Sequence, residues 1–114
     1  MTTEAMETRV SKALRRMILM TQNVSEIEEI ENKVLVFKDL DDDVLVFCMY
    51  DWTEGAKEDW IPYNRTEFEK VMVKYLITHQ LHEGAIRVDI ANLMVVGDDR
   101  AMVRYIKDYK WEVL

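Results

Sequence analysis

The chain has 114 residues, 49% of them hydrophobic and 32% charged, which suits one domain with a real core and excludes a disordered chain. Its 22 acidic against 15 basic residues give a net charge of −7, a field that repels a phosphate backbone and argues against nucleic acid as a partner. No apolar run approaches the roughly 20 residues that span a bilayer, the N-terminus has no apolar signal core, and a single Cys excludes an internal disulfide, so a cytoplasmic chain outside the membrane is expected.

Residues 4–21 step at helical spacing. Met6, Val10, Ala13, Leu14, Met17, Ile18 and Thr21 share one face, and Arg9, Lys12, Arg15 and Arg16 fall largely off it. Thr2 or Thr3 can cap this helix, and Glu4 and Glu7 suit its positive end. The stripe of Arg9, Lys12 and Arg16 reads as a phosphate-facing surface or as a solvated outer face, and the net charge favours the second. Residues 24–31 are ambiguous between an edge strand and a helical turn. Asn32-Lys33, a tight turn into the β-forming run 34–37, favours the strand. Asp39, Asp41, Asp42 and Asp43 form an acidic hairpin tip, because a calcium loop would need Gly at its sixth position and Glu at its twelfth.

Residues 44–52, VLVFCMYDW, contain eight apolar or aromatic residues out of nine and neither Gly nor Pro. Such a run suits a central strand buried on both faces. Alternation sets Leu45, Phe47, Met49 and Asp51 on one face and Val46, Cys48, Tyr50 and Trp52 on the other. Cys48 is then a small buried hydrophobe.

Residues 51–65 hold the only Pro and form an irregular segment. Its Trp52, Trp60 and Tyr63 read as an interaction surface or as a plug at the open end of the sheet. Thr66-Glu67-Phe68-Glu69 has the form of a capping box opening a second helix. Phe68, Val71, Met72, Tyr75, Leu76 and His79 follow at helical spacing, with Gly84 as a C-terminal cap. His79 and His82 lack a third ligand and read as helix-end polar residues. In residues 85–96, Ile86, Val88, Ile90 and Asn92 alternate with Arg87, Asp89, Ala91 and Leu93. A turn at Gly97 leads to a last strand over 102–109, with Val103, Tyr105 and Lys107 on one face. The order α-β-β-β-α-β-β predicts a single mixed α/β (α+β) domain over residues 1–114, a central mixed sheet flanked by helices.

Several of these stretches resemble a known family. Leu45-Val46-Phe47 is similar to the L-V-F that precedes the E-x-K motif of the YraN family, small bacterial proteins with a restriction-endonuclease-like (Holliday-junction-resolvase-like) fold. The helix ending Lys74-Tyr75-Leu76, with His79 after it, resembles the family's A-x-x-Y-L helix. Ile86-Arg87-Val88-Asp89-Ile90 resembles its V-R-F-D-V, and residues 94–104 resemble the strand–turn–strand that closes actinobacterial members. The resemblance covers about the last 70 residues, and the shorter first 35 fit poorly.

In that superfamily a strand carboxylate and the Glu of E-x-K hold magnesium or manganese, and the Lys activates the attacking water. Carried over position by position, the Glu falls at Met49, the Lys at Asp51 and the upstream Asp at or near Val36. A thioether cannot replace the oxygen ligand that magnesium demands. Glu4 or Glu7 could match the family's helix-1 Glu, which alone makes no metal site. The resemblance therefore implies a degenerate nuclease fold without a cofactor, retained as a non-catalytic binding or structural module that meets a second copy or a protein partner. Two alternatives stand beside it. One is a metal-dependent nuclease with a migrated site at Asp51, Glu54 and Asp89. The other is nucleic-acid binding without cleavage through Arg9, Lys12, Arg16, Arg100, Arg104 and Lys107.

Overall fold

The computed structural model describes residues 3–31, 33–55, 65–79, 85–97 and 100–110. The elements follow as α1 (Thr3–Thr21), β1 (Glu28–Ile30), β2 (Val34–Asp39), β3 (Val44–Glu54), α2 (Arg65–Thr78), β4 (Ile86–Val95) and β5 (Ala101–Ile106). The five strands form one mixed sheet in sequence order, so the fold is α+β with the element order expected. Neighbours joined by short turns pair antiparallel, whereas β3 and β4 run parallel because α2 carries the chain back between them.

Alternation along β3 divides the core into two layers. Val46, Cys48 and Tyr50 join Leu35, Phe37, Ala91 and Leu93 beneath Val10, Leu14 and Ile18 of α1. Phe47 and Met49 join Val34, Val36, Val88 and Ile90 beneath Phe68 and Val71 of α2. A strand covered by a helix on each side must be apolar on both faces, which is why residues 44–50 carry no charge. Phe47 also meets the ring of Tyr75 edge-on, with centroids 5.6 Å apart and planes at 88°. Cys48 is buried, and desolvation pushes its thiol well above the ordinary value, so it stays protonated and inert.

Several boundaries differ from the sequence reading, among them β2, which runs on to Asp39. β1 is only three residues long, and its neighbourhood adds a single bridge between Val24 and Asp39. A short, acidic edge of this kind discourages further pairing. β3 continues past Trp52 to Glu54, whose partner is Val95, and the chain leaves the sheet at Gly55 with φ 78°. α2 begins at Arg65, so Thr66 lies in its first turn. β5 ends at Ile106, where Asp108 takes φ 56° and Tyr109 N–H donates to Val88 O at 2.7 Å, so Lys107 bulges out of the ladder. Trp60, Tyr63, His82 and Gly84 lie outside the described residues. No helix among the described residues is long and apolar enough to cross a membrane.

Candidate functional site

The C-terminal end of β3 holds the positions where the family resemblance places its chemistry. Val36 and Met49 are 2% and 3% exposed, on neighbouring strands under α2, with hydrocarbon around them. Asp51 follows Met49 on the same face, and Lys33 Nζ donates to its Oδ1 at 3.0 Å. Trp52 N–H donates to the same oxygen at 2.8 Å. Lys33 reaches it from the turn before β2, held there in a left-handed conformation with φ 58°. Beside Asp51 in the register sits Asn92, 2% exposed, whose Oδ1 has no hydrogen-bond partner among the described residues. Glu7 does not join this face: α1 covers the opposite side of the sheet, so Glu7 and Met49 are separated by the strands themselves.

The structure does not bring the alternative metal ligands together. Asp51 shares the α2 face with Phe47 and Met49, whereas Asp89 shares the α1 face with Ala91 and Leu93. Glu54, by the same alternation, falls on the face opposite Asp51. Among the described residues no group of three His, Cys, Asp or Glu is placed to hold a metal ion. The six cations also diverge. Arg9 and Arg16 are exposed on α1 away from the cleft that Lys12 lines, Arg104 alternates onto the α2 side of the edge strand, and Arg100 precedes that strand. Lys107 turns to Asp39, 3.6 Å away. Trp52 is half-buried against the α1 layer, as a plug would be. His79 stacks on Tyr75 at 3.9 Å and bonds the Tyr75 carbonyl, an arrangement confined to the end of α2.

At the opposite end of β3 and β4 lies a buried ionic group. Arg87 is 7% exposed, Asp39 3% and Asp89 0%. Arg87 grips Asp89 with two bonds, Nε to Oδ1 at 2.9 Å and Nη2 to Oδ2 at 3.0 Å, and donates through Nη1 to Asp39 Oδ2 at 2.6 Å. Tyr105 OH donates to Asp89 Oδ2, and Asp108 N–H to Oδ1 at 2.9 Å. Asp39 Oδ1 accepts the N–H groups of Asp41 and Asp42, which closes the acidic turn. With its acceptors filled by protein donors, Asp89 has a structural role and is not available as a ligand.

This group makes the fold acid-sensitive. The Arg87 hydrogen bond, helped by the two turn N–H groups against the effect of burial, lowers the Asp39 carboxyl from 3.8 to about 2. Because the folded value lies below the unfolded one, this contribution is whole above pH about 4 and disappears as pH falls towards about 2. Acid unfolding followed by Trp fluorescence should show that loss, and Asp39→Asn should flatten the same limb. A wild-type stability that stays level from pH 4 to 2 would mean the pair is not formed.

A second polar cluster lies on the α1 face. Ser11 interrupts the apolar stripe of α1 between Val10 and Leu14, and is only 8% exposed. Its Oγ donates to Glu29 Oε1 at 2.5 Å, and Tyr50 OH donates to the same oxygen at 2.9 Å. Burial raises the Tyr50 phenol above its ordinary value, so it remains a donor. Together with Lys12, Arg15 and Lys33 these residues line a cleft of about 360 Å³ between α1, β1 and the end of β3. The signal for it in the sequence was a Ser among apolar helix positions, facing a Glu from the segment of uncertain structure. Comparison with family models, with curated proteins and with solved structures returns no match for the chain, so the geometry of these sites carries the functional argument.

Proposed function

We propose that the chain is a non-catalytic binding or structural module, a degenerate relative of the YraN-type nuclease fold. The observation that carries this reading is the fate of the motif positions: Val36 and Met49 are packed as core, and Asp51 is paired with Lys33. Hydrocarbon at those places offers no oxygen to a hard divalent cation. The element order, with its parallel β3–β4 pair joined through α2, agrees with the resemblance and supports it. The partner would be a second copy or another protein, since a net charge of −7 opposes nucleic acid.

Titrating manganese or magnesium into the protein and into Asp51→Ala by calorimetry should give no saturable heat in either. Incubation with branched and single-stranded DNA and with RNA, in manganese, should leave the substrates intact. Tight metal binding lost in Asp51→Ala, or cleavage lost with it, would return the chain to the enzymes and place a working centre at the end of β3.

A further inference from the structure

We propose that the cleft between α1 and the β1–β3 end of the sheet binds a small organic anion, with its carboxylate or phosphate group held by Lys12 and Arg15. This goes beyond the non-catalytic reading and stands without it, because the cleft lies on the opposite face of the sheet from Met49.

The argument starts from how Glu29 is satisfied. Its Oε1 takes short bonds from two neutral hydroxyls, Ser11 at 2.5 Å and Tyr50 at 2.9 Å. Arg15 reaches the same oxygen only at 3.5 Å through Nη2. The two hydroxyls hold the closer places on that oxygen, which leaves the Arg15–Glu29 ion pair a long one. Arg15 Nε is buried and has no hydrogen-bond partner among the described residues. A buried donor of this kind calls for an acceptor, and a guanidinium offers a fork that fits a carboxylate or phosphate. Lys12, one helical turn earlier, lines the same cleft and makes no ion pair among the described residues. Lys33 adds a third cation at the rim. Lys33 is paired with Asp51 at 3.0 Å, so Lys12 and Arg15 are the cations the cleft offers to an anion.

Size and charge limit the ligand. A volume of about 360 Å³ is at the small end of ligand pockets, which run from about 300 to 1,000 Å³. Glu7 and Glu29 share the cleft, so a dense polyanion would be repelled while one anionic head group would be accepted.

Nitrogen-15-labelled protein spanning residues 1–114, titrated with sodium phosphate or sodium acetate against sodium chloride at matched ionic strength, tests the proposal. The amides of Ser11, Lys12, Arg15 and Tyr50 should shift saturably with phosphate or with acetate, while chloride causes only a linear drift. Saturation with phosphate alone identifies a phosphomonoester site, and saturation with acetate alone a carboxylate site. Arg15→Gln and Lys12→Gln should each weaken binding about tenfold, the loss of one charge-assisted hydrogen bond, while Arg100→Gln leaves it unchanged. Should Arg15→Gln fail to fold, Lys12→Gln decides, since its exposed side chain holds no core contact in place. Shifts that never saturate with either anion, or an affinity unaltered by Lys12→Gln, would overturn the proposal. Metal titration and cleavage assays read the other face of the sheet and leave this outcome separate.

Discussion

Arg87→Ala should destabilise the fold by about 3–5 kcal/mol, because it leaves Asp89 in the interior with no counter-charge and Asp39 with only the half-exposed Lys107, 3.6 Å away. Asp39 and Asp89 are 3% and 0% exposed, and Arg87 is the group that bonds both. The pair Arg87–Asp89 is local, two residues apart on β4, whereas Asp39 arrives from the end of β2. Removing the guanidinium thus strands charges from separate strands at once. Total stabilities of about 5–15 kcal/mol make such a loss a large share of the whole. Urea unfolding followed by Trp fluorescence should show a lower midpoint with an unchanged slope. As a contrast, Lys74→Ala breaks an exposed pair with Glu31, and exposed pairs are worth about 0.2–1 kcal/mol. A loss below about 1 kcal/mol for Arg87→Ala would mean that water reaches the carboxylates in solution.

Met49→Glu comes second, and it probes the position where the proposed resemblance places the family's Glu. The new carboxylate would enter a site 3% exposed, with Val34 and Ile90 opposite it in the register and Phe68 and Val71 above. Among these hydrocarbon neighbours the group must be buried charged or take up a proton, and either way about 3 kcal/mol or more is lost. Completing the motif with Asp51→Lys adds a cation beside Lys33, whose Nζ now sits 3.0 Å from the Asp51 carboxylate. Two like charges would then face each other where an ion pair stood. The double variant should melt far below the wild type and cleave no branched DNA in manganese, because Val36 still supplies no ligand. A double variant that folds like the wild type and cleaves DNA would show a latent nuclease centre, and the non-catalytic reading would fail.

Much of the architecture was legible in local patterns. The 3.6-residue stripe from Met6 to Ile18 and the run from Val44 to Trp52 each encode their burial in neighbouring residues, so α1 and the doubly covered β3 followed from periodicity alone. Cys48 as core came with them. Arg87 and Asp89 read as alternating strand positions, and Asp89 as an alternative metal ligand, so their buried pair came only with the structure.

Convergence was not legible. Asp39 meets Arg87 across 48 residues of sequence, and Glu29 meets Ser11 and Tyr50 across 18 and 21. Asp51 and Asp89 read equally well as partners until strand register put them on opposite faces. The cations of α1 and of β5 read as one set until the sheet divided them. By itself the sequence determined which elements form and which of their faces are apolar, since propensity and periodicity act over a few residues. The tertiary structure alone decided which polar groups meet, because strand order, register and the side on which each helix lands arise from contacts between distant segments.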